Sequence, residues 1–234
     1  MDRSKNFYAK IFGNKALITA PESKSGGEKI SYDIPTREML KGILDANYFK
    51  PTIVNIVDEV RIMKKIESYT QGIRLLLRDY SSDLSAYTFL VNVCYYVKFH
   101  FEWNLDREDL KNDRNFNKHE AITERSLKRG GRRPIFLGTS ECSGYIEAIS
   151  EDEYENRKGF YDETDRGFGI MFNGFIYPKN PGEVLKSAYS IINMKKGRVI
   201  YPRPEECQII NEVSNYSFRV PKQTKSVDEE LKDY

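Results

Sequence analysis

The sequence predicts an α+β chain, with a larger mixed domain over residues 1–148 and a smaller, mostly antiparallel β domain over residues 149–234. Three observations point there. In residues 87–103 every odd position is apolar (Tyr87, Phe89, Val91, Val93, Tyr95, Val97, Phe99, Phe101, Trp103), whereas the even positions include Thr88, Asn92, Lys98, His100 and Glu102. That period belongs to a strand with one buried and one polar face. Two stretches, 36–48 and 117–130, carry helix start and stop signals. Beyond residue 149, acidic clusters, Gly and Pro punctuate short apolar runs.

Taken in order, residues 5–12 read as a first strand, with a turn at Gly13-Asn14 and a second extended piece to Ala20. A loop follows. Thr36 can cap a helix whose Met39, Leu40, Ile43 and Leu44 recur at helical spacing, and Pro51 marks its stop just beyond Tyr48. Residues 52–63 are rich in β-branched side chains and read as a strand in which Asp58-Glu59 marks a bulge or a short turn. After the alternating strand, Asn117 with Glu120 three residues on has the pattern of a capping box. Lys118 and His119 then lie in the first turn of a helix that ends at Gly130. Residues 141–149 supply a closing strand. The succession strand, helix, strand, strand, helix, strand is the ferredoxin-like, RRM-type order. In the second part, 169–177 and 198–201 read as strands and 187–194 as a short helix or a strand. The charged tail 222–234 reads as mobile.

A chain of 234 residues can bury a core without disulfide staples. Its three cysteines, Cys94, Cys142 and Cys207, are far apart and form no Cys-x-x-Cys pair, which speaks against a zinc ribbon and for a reducing cytoplasm. No apolar run approaches the roughly 18–20 residues of a membrane helix, and no export leader is recognisable. A cytoplasmic protein without membrane contact is expected.

Net charge is +2, with 24 Lys and Arg against 20 Asp and Glu up to residue 148 and 13 against 15 beyond it. Clustering says more than the total. Between Arg107 and Arg133 the chain carries Lys111, Arg114, Lys118, Arg125, Lys128, Arg129 and Arg132 around Gly130-Gly131, a density suited to phosphate contacts.

The two histidines, His100 and His119, bound the proton chemistry available near neutral pH. His100 falls on the polar face of the long strand and reads as a sheet-surface residue. His119 falls at a helix start, where unpaired N–H groups hold anions and Lys118 can stabilise the extra charge of a five-coordinate phosphorane. RNA needs little more, because its own 2′-hydroxyl can be the nucleophile. Tyrosine, with an ordinary pKa near 10, is a poor base but can orient that hydroxyl; Tyr48 is one of 16 tyrosines and by itself reads equally as a packed aromatic at a helix end. The competing arrangement is a magnesium site built from Asp152, Glu153, Asp162, Glu163 and Asp165, which otherwise read as a solvated loop. Neither residues 13–15 nor Ser25-Gly26-Gly27 carry a P-loop or dinucleotide pattern.

Several ordered phrases carry a family likeness. They are Gly26-Gly27-Glu28-Lys29, Ser31-Tyr32-x-x-Pro35-Thr36, Leu40-Lys41-Gly42-Ile43, Tyr48-x-Lys50-Pro51-Thr52-Ile53-Val54, Lys98-x-His100-Phe101-Glu102, Asp113-Arg114-Asn115, Lys118-His119 and Gly130-Gly131-Arg132-Arg133-x-Ile135-Phe136-Leu137-Gly138. Further on come Gly159-Phe160-Tyr161-Asp162, Gly174-Phe175-x-Tyr177-Pro178 and Pro202-Arg203-Pro204-Glu205-x-Cys207. Together they resemble the CRISPR-associated Cas-five family, in its subtype I-C branch. The resemblance implies an endoribonuclease that cuts precursor CRISPR RNA at the 3′ base of the repeat hairpin. It implies no metal or cofactor, a 2′,3′-cyclic phosphate product, and retention with other Cascade subunits. The family's catalytic tyrosine, lysine and histidine fall on Tyr48, Lys118 and His119. Arg114, Lys128, Arg129, Arg132 and Arg133 are the expected RNA-binding residues. Duplex DNA stays open as a further partner. The competing functions are a non-catalytic RNA-binding subunit that caps the guide's 5′ end, and a metal-dependent DNase.

Overall fold

Alternation along the chain becomes strand after strand in the computed structural model, which describes residues 3–23, 28–76, 78–180 and 182–216. Gly26, Gly27 and the tail 222–234 lie outside the described residues. The elements run β1 (Phe7–Ala16), β2 (Glu28–Ile30), α1 (Arg37–Asn47), β3 (Ile53–Ile62), β4 (Ser68–Leu76), β5 (Ser82–Trp103), α2 (Phe116–Lys128), β6 (Ile135–Phe136) and β7 (Ser143–Ala148). They continue with α3 (Glu151–Asn156), β8 (Arg166–Ile176), β9 (Val184–Lys195), β10 (Arg198–Val199) and β11 (Ile209–Asn215). Mixed α/β structure with few helices and one large, mainly antiparallel sheet is the result.

Among the described residues the sheet has 11 strands, ordered β11-β9-β10-β3-β5-β1-β7-β6, with β2 and β4 on β5 and β8 on β9. β5 is its axis. Val97 lies opposite Ala9 on one side and Val60 on the other, and the outer half of β5 runs on to pair with β4 from Ser82 to Leu90. The odd-numbered face carries Val97, Phe99 and Phe101 into a core shared with Leu40 and Leu44 of α1 and Leu127 of α2. Each such ring or branched side chain stabilises the fold by about 1.5–3 kcal/mol on full burial. β8 to β11, within residues 166–215, supply the far strands, and 187–194 is strand, within β9.

Local expectations fail in four places, each for a physical reason. The turn at Gly13-Asn14 is absent: β1 continues to Ala16, paired with β5. Gly13 makes room, since a Cβ there would fall 2.6 Å from Leu137 Cδ1 and 2.9 Å from the Ser143 carbonyl. α2 is capped by Asn115 and not Asn117, the Asn115 side chain accepting from the Lys118 N–H at 3.2 Å. The packing of Phe116 on Trp103, ring centroids 4.3 Å apart, draws that residue into the first turn. Residues 151–153 are no loop but the first turn of α3, where Ser150 accepts from the Glu153 N–H at 3.0 Å and acidic side chains meet the helix's positive end.

The even face of β5 is also partly covered. Cys94 and Tyr96 pack with Tyr8 and with Tyr154 of α3. His100, expected at the surface, is buried. Its Nδ1 lies 2.8 Å from Asp58 Oδ2 and its Nε2 3.3 Å from Glu102 Oε1. The predicted bulge between Val57 and Glu59 is present, and Asp58 is the residue it frees to reach the imidazole.

Candidate active site

Two helix ends meet above β5. Thr36 caps α1 by accepting from the Met39 N–H at 3.2 Å, and the helix buries Leu40, Ile43 and Leu44. At its other end Tyr48 leaves the helix in an extended conformation, φ −152°, while its N–H still donates to the Leu44 carbonyl. Asn55 of β3 donates to the Tyr48 carbonyl at 3.2 Å and turns the phenol inward. The start of α2 faces it. Ser126 donates to the Asn47 carbonyl at 2.6 Å, which joins the two helices.

His119 is the fourth residue of α2 and is 0% exposed. Its N–H already bonds the Asn115 carbonyl at 3.2 Å, so the open helix start expected around it is partly filled. Phe101 and Trp103 of β5 meet the imidazole edge-on, with centroids at 6.2 and 5.7 Å. Nε2 lies 2.8 Å from the Asp113 carbonyl oxygen. A carbonyl only accepts, so Nε2 carries hydrogen. The neutral ring then offers Nδ1 as an acceptor, and the Tyr48 O–H donates to it at 2.8 Å. Tyr48 itself is 2% exposed. Burial, and next the charge of Asp113, push its phenol above the usual range, against a smaller opposite effect of Arg132.

Lys118 points away from this pair. Its side chain is 50% exposed, and its ammonium donates to Asp113 Oδ1. Asp113 Oδ2 accepts from Thr52 at 2.8 Å. These two hydrogen bonds, Lys118's the larger, hold the Asp113 carboxyl down at about 2. Asp113 thus touches Lys118 through its carboxylate and His119 mainly through its carbonyl, with carboxylate Oδ2 3.4 Å from Nε2 as well. The sequence signal for Asp113 is slight: a carboxylate five residues before a Lys-His pair.

The arginines divide. Arg114 turns inward, with Nη2 donating to the Asn104 carbonyl at 3.0 Å and to the Arg107 carbonyl at 3.3 Å. Lys128, Arg129, Arg132 and Arg133 are exposed. Arg129 and Arg132, joined by Arg125, line a cavity of about 360 Å3 together with Ile122, Ser126 and Gly131. Arg132 also lies over the Tyr48 ring, 5.8 Å from its centroid.

Three of the acidic residues of the competing metal arrangement are engaged elsewhere. Glu153 accepts from Tyr96 at 2.7 Å, Asp162 from Arg61 at 3.0 Å and Asp165 from the Lys196 N–H at 2.9 Å. Among the described residues no three His, Cys, Asp or Glu side chains are grouped to hold a metal ion. No helix among them is long and apolar enough to cross a membrane.

The family model described as CRISPR-associated protein (Cas_Cas5) matches residues 8–202. The chain belongs to this family. Over 56 residues it is 39% identical to a relative in Mannheimia succiniciproducens described as "CRISPR pre-crRNA endoribonuclease Cas5d", a match spanning 24% of this chain and 24% of that relative. A crystal structure described as a CRISPR-associated protein is 42% identical, with a TM-score of 0.75 over 90% of this chain and 98% of the other. A Streptococcus mutans protein described as functionally uncharacterized is 43% identical, with a TM-score of 0.74 over 90% and 99%. For this family member, two solved folds therefore agree along nearly the whole of their length.

Proposed function

We propose that this chain is a metal-independent endoribonuclease of precursor CRISPR RNA, of the subtype I-C branch, with Tyr48, Lys118 and His119 as its catalytic residues. The observation that carries the reading is the 2.8 Å contact between Tyr48 Oη and His119 Nδ1, next to Lys118. In this mechanism the 2′-hydroxyl proton passes to the Tyr48 oxygen as the Tyr48 proton passes to His119 Nδ1. The phenol, whose pKa is raised, stays neutral throughout. The 2′-oxygen attacks phosphorus and the P–O5′ bond breaks. The leaving 5′-oxygen takes a proton from water, the hydroxide so formed removes the proton that His119 has gained, and a 2′,3′-cyclic phosphate remains. Lys118 stabilises the phosphorane after exchanging Asp113 for the substrate. Arg132 moves off the Tyr48 ring towards a phosphate to admit the nucleotide. Lys128, Arg129, Arg132 and Arg133 hold the hairpin backbone, and Arg114 holds the loop preceding α2.

The relative's description as a pre-crRNA endoribonuclease supports this reading. The succession β1-α1-β3-β5-α2-β7, with β3-β5-β1-β7 adjacent in the sheet, supports a ferredoxin-like, RRM-type unit over residues 1–148. Residues 149–234 form the second, β-rich domain in this proposal. Cytoplasmic location and retention with other Cascade subunits belong to the same proposal.

Burial of Tyr48 and His119 favours a second reading, a non-catalytic RNA-binding subunit. One experiment separates the two. Repeat hairpin RNA is incubated with the protein in excess chelator, beside His119→Ala and an RNA carrying a 2′-deoxy nucleotide at the cut site. The endoribonuclease cuts only the unmodified RNA, and only as wild type. Tight binding without any cut selects the second reading. Activity that needs added magnesium, or cutting of the deoxy RNA, overturns the mechanism.

A further inference from the structure

The segment that carries Arg132 has a second side. There the end of α1 and β6 border another cavity, open to solvent, of about 470 Å3, a size usual for small-ligand sites. Gly42, Ala46 and Phe49 form one wall, and Arg133, Pro134 and Phe136 the other. Phe49 is 51% and Phe136 41% exposed, although rings of this size are strongly drawn to burial. Among the described residues neither ring meets another ring, and Arg133 has no hydrogen bond or ion pair. Asp45 adds a carboxylate to the lining. It is fixed in place, Oδ2 accepting from Lys41 at 2.7 Å and Oδ1 from Asn55 at 2.8 Å.

We propose that this cavity takes one unpaired nucleobase of the RNA, stacked on Phe49 and Phe136, with an N–H edge at Asp45. The proposal rests on the RNA-processing reading above and adds a specificity subsite to it. Exposed aromatic rings stack on the π-face of any base. The Asp45 carboxylate accepts from base N–H groups and repels a phosphate, which the neighbouring Arg125, Arg129 and Arg132 cavity attracts instead. The two cavities share the segment 131–133, so backbone and base are sorted to its opposite sides. Phe49 follows Tyr48 directly in the chain, so this subsite and the candidate catalytic tyrosine leave the same helix end.

The test uses repeat RNA made uncleavable by a 2′-deoxy nucleotide at the cut site, with 2-aminopurine placed in turn at each unpaired position. Binding to wild type should change the fluorescence strongly at one position. Phe49→Ala and Phe136→Ala should abolish that change and weaken binding about tenfold each. An abasic nucleotide at the same position should weaken wild type similarly and leave Phe49→Ala unaffected. Phe49→Leu keeps apolar bulk without a ring and should behave as Phe49→Ala; wild-type binding by Phe49→Leu overturns stacking. Firm binding with no responsive position overturns the base pocket alone. Absence of RNA binding overturns the reading on which it rests. Thermal melts of the three variants within a few degrees of wild type confirm that they fold.

Discussion

Tyr48 and His119 lie 71 positions apart in the chain, and the hydroxyl of one donates to Nδ1 of the other at 2.8 Å in a buried setting. The bond depends on a second one, because the Asp113 carbonyl fixes the hydrogen on Nε2. Tyr48→Phe removes the donor and leaves a buried ring nitrogen without a partner, at a cost of about 1–3 kcal/mol. Equilibrium denaturation should register that loss. If Tyr48 relays the proton, single-turnover cleavage should fall by roughly 10²–10⁴-fold, whereas RNA affinity should hold. A variant that is less stable yet cuts at the wild-type rate would assign the tyrosine a structural role alone.

Asp113 gives the site a pH signature. Its folded value of about 2 lies below the ordinary 3.8, so folding favours the carboxylate over the acid. The stabilisation is therefore complete above about pH 4 and disappears as pH falls through about 2. Wild type should lose denaturant resistance across that window. Asp113→Asn should be the less stable protein at pH 7 and should lose less on acidification. Parallel curves for the two proteins would exclude the Lys118 and Thr52 hydrogen bonds as the cause.

Salt dependence distinguishes the arginines. Arg125, Arg129 and Arg132 share one cavity, and none has an ion pair among the described residues. Each Ala substitution there should weaken RNA binding at every sequence tested and reduce the slope of log K against log salt by about 0.7–1. Arg114 donates to two carbonyls, so Arg114→Ala should lower the melting temperature more than it flattens the slope. A flattened slope with an unchanged melting temperature would instead make Arg114 a phosphate contact.

Legibility in the sequence follows the range of the forces involved. The axis of the sheet was readable because alternation over 87–103 is a local pattern, and α1 because Thr36 and its apolar spacing are local too. β4 was not readable: Ser68–Leu76 mixes polar and apolar residues on a mostly exposed stretch whose strand conformation comes from pairing with β5. The start of α2 was displaced because Asn115 and Asn117 are equally good caps by type, and Phe116 on Trp103 decides between them. Lys118 with His119 gave a suggestive pair, but joining them to Tyr48 took the family likeness. The role of Asp113 depends on Thr52, 61 positions away, and no spacing rule reports such a contact. His100 was misjudged because face alternation ignores what covers a face, here a carboxylate supplied by a bulge.

Gly13 offers a test of fold and reading together. As a turn residue it would be needed for its backbone freedom, but among the described residues it is absent from the glycines with positive φ. Its value is space. Gly13→Ala would set a Cβ against the end of Leu137, which can shift, and against the Ser143 carbonyl, which belongs to the segment pairing with β1. The expected cost is about 1–3 kcal/mol, read as a lowered melting temperature. Leu137→Ala in the same chain should relieve part of the clash, so the double variant should lose less than the two single losses combined. Gly131, with φ +95°, provides the contrast: Ala there is strained by conformation, and no neighbouring truncation should restore it. Equal rescue at both glycines would mean that close approach does not explain why β1 runs through Gly13.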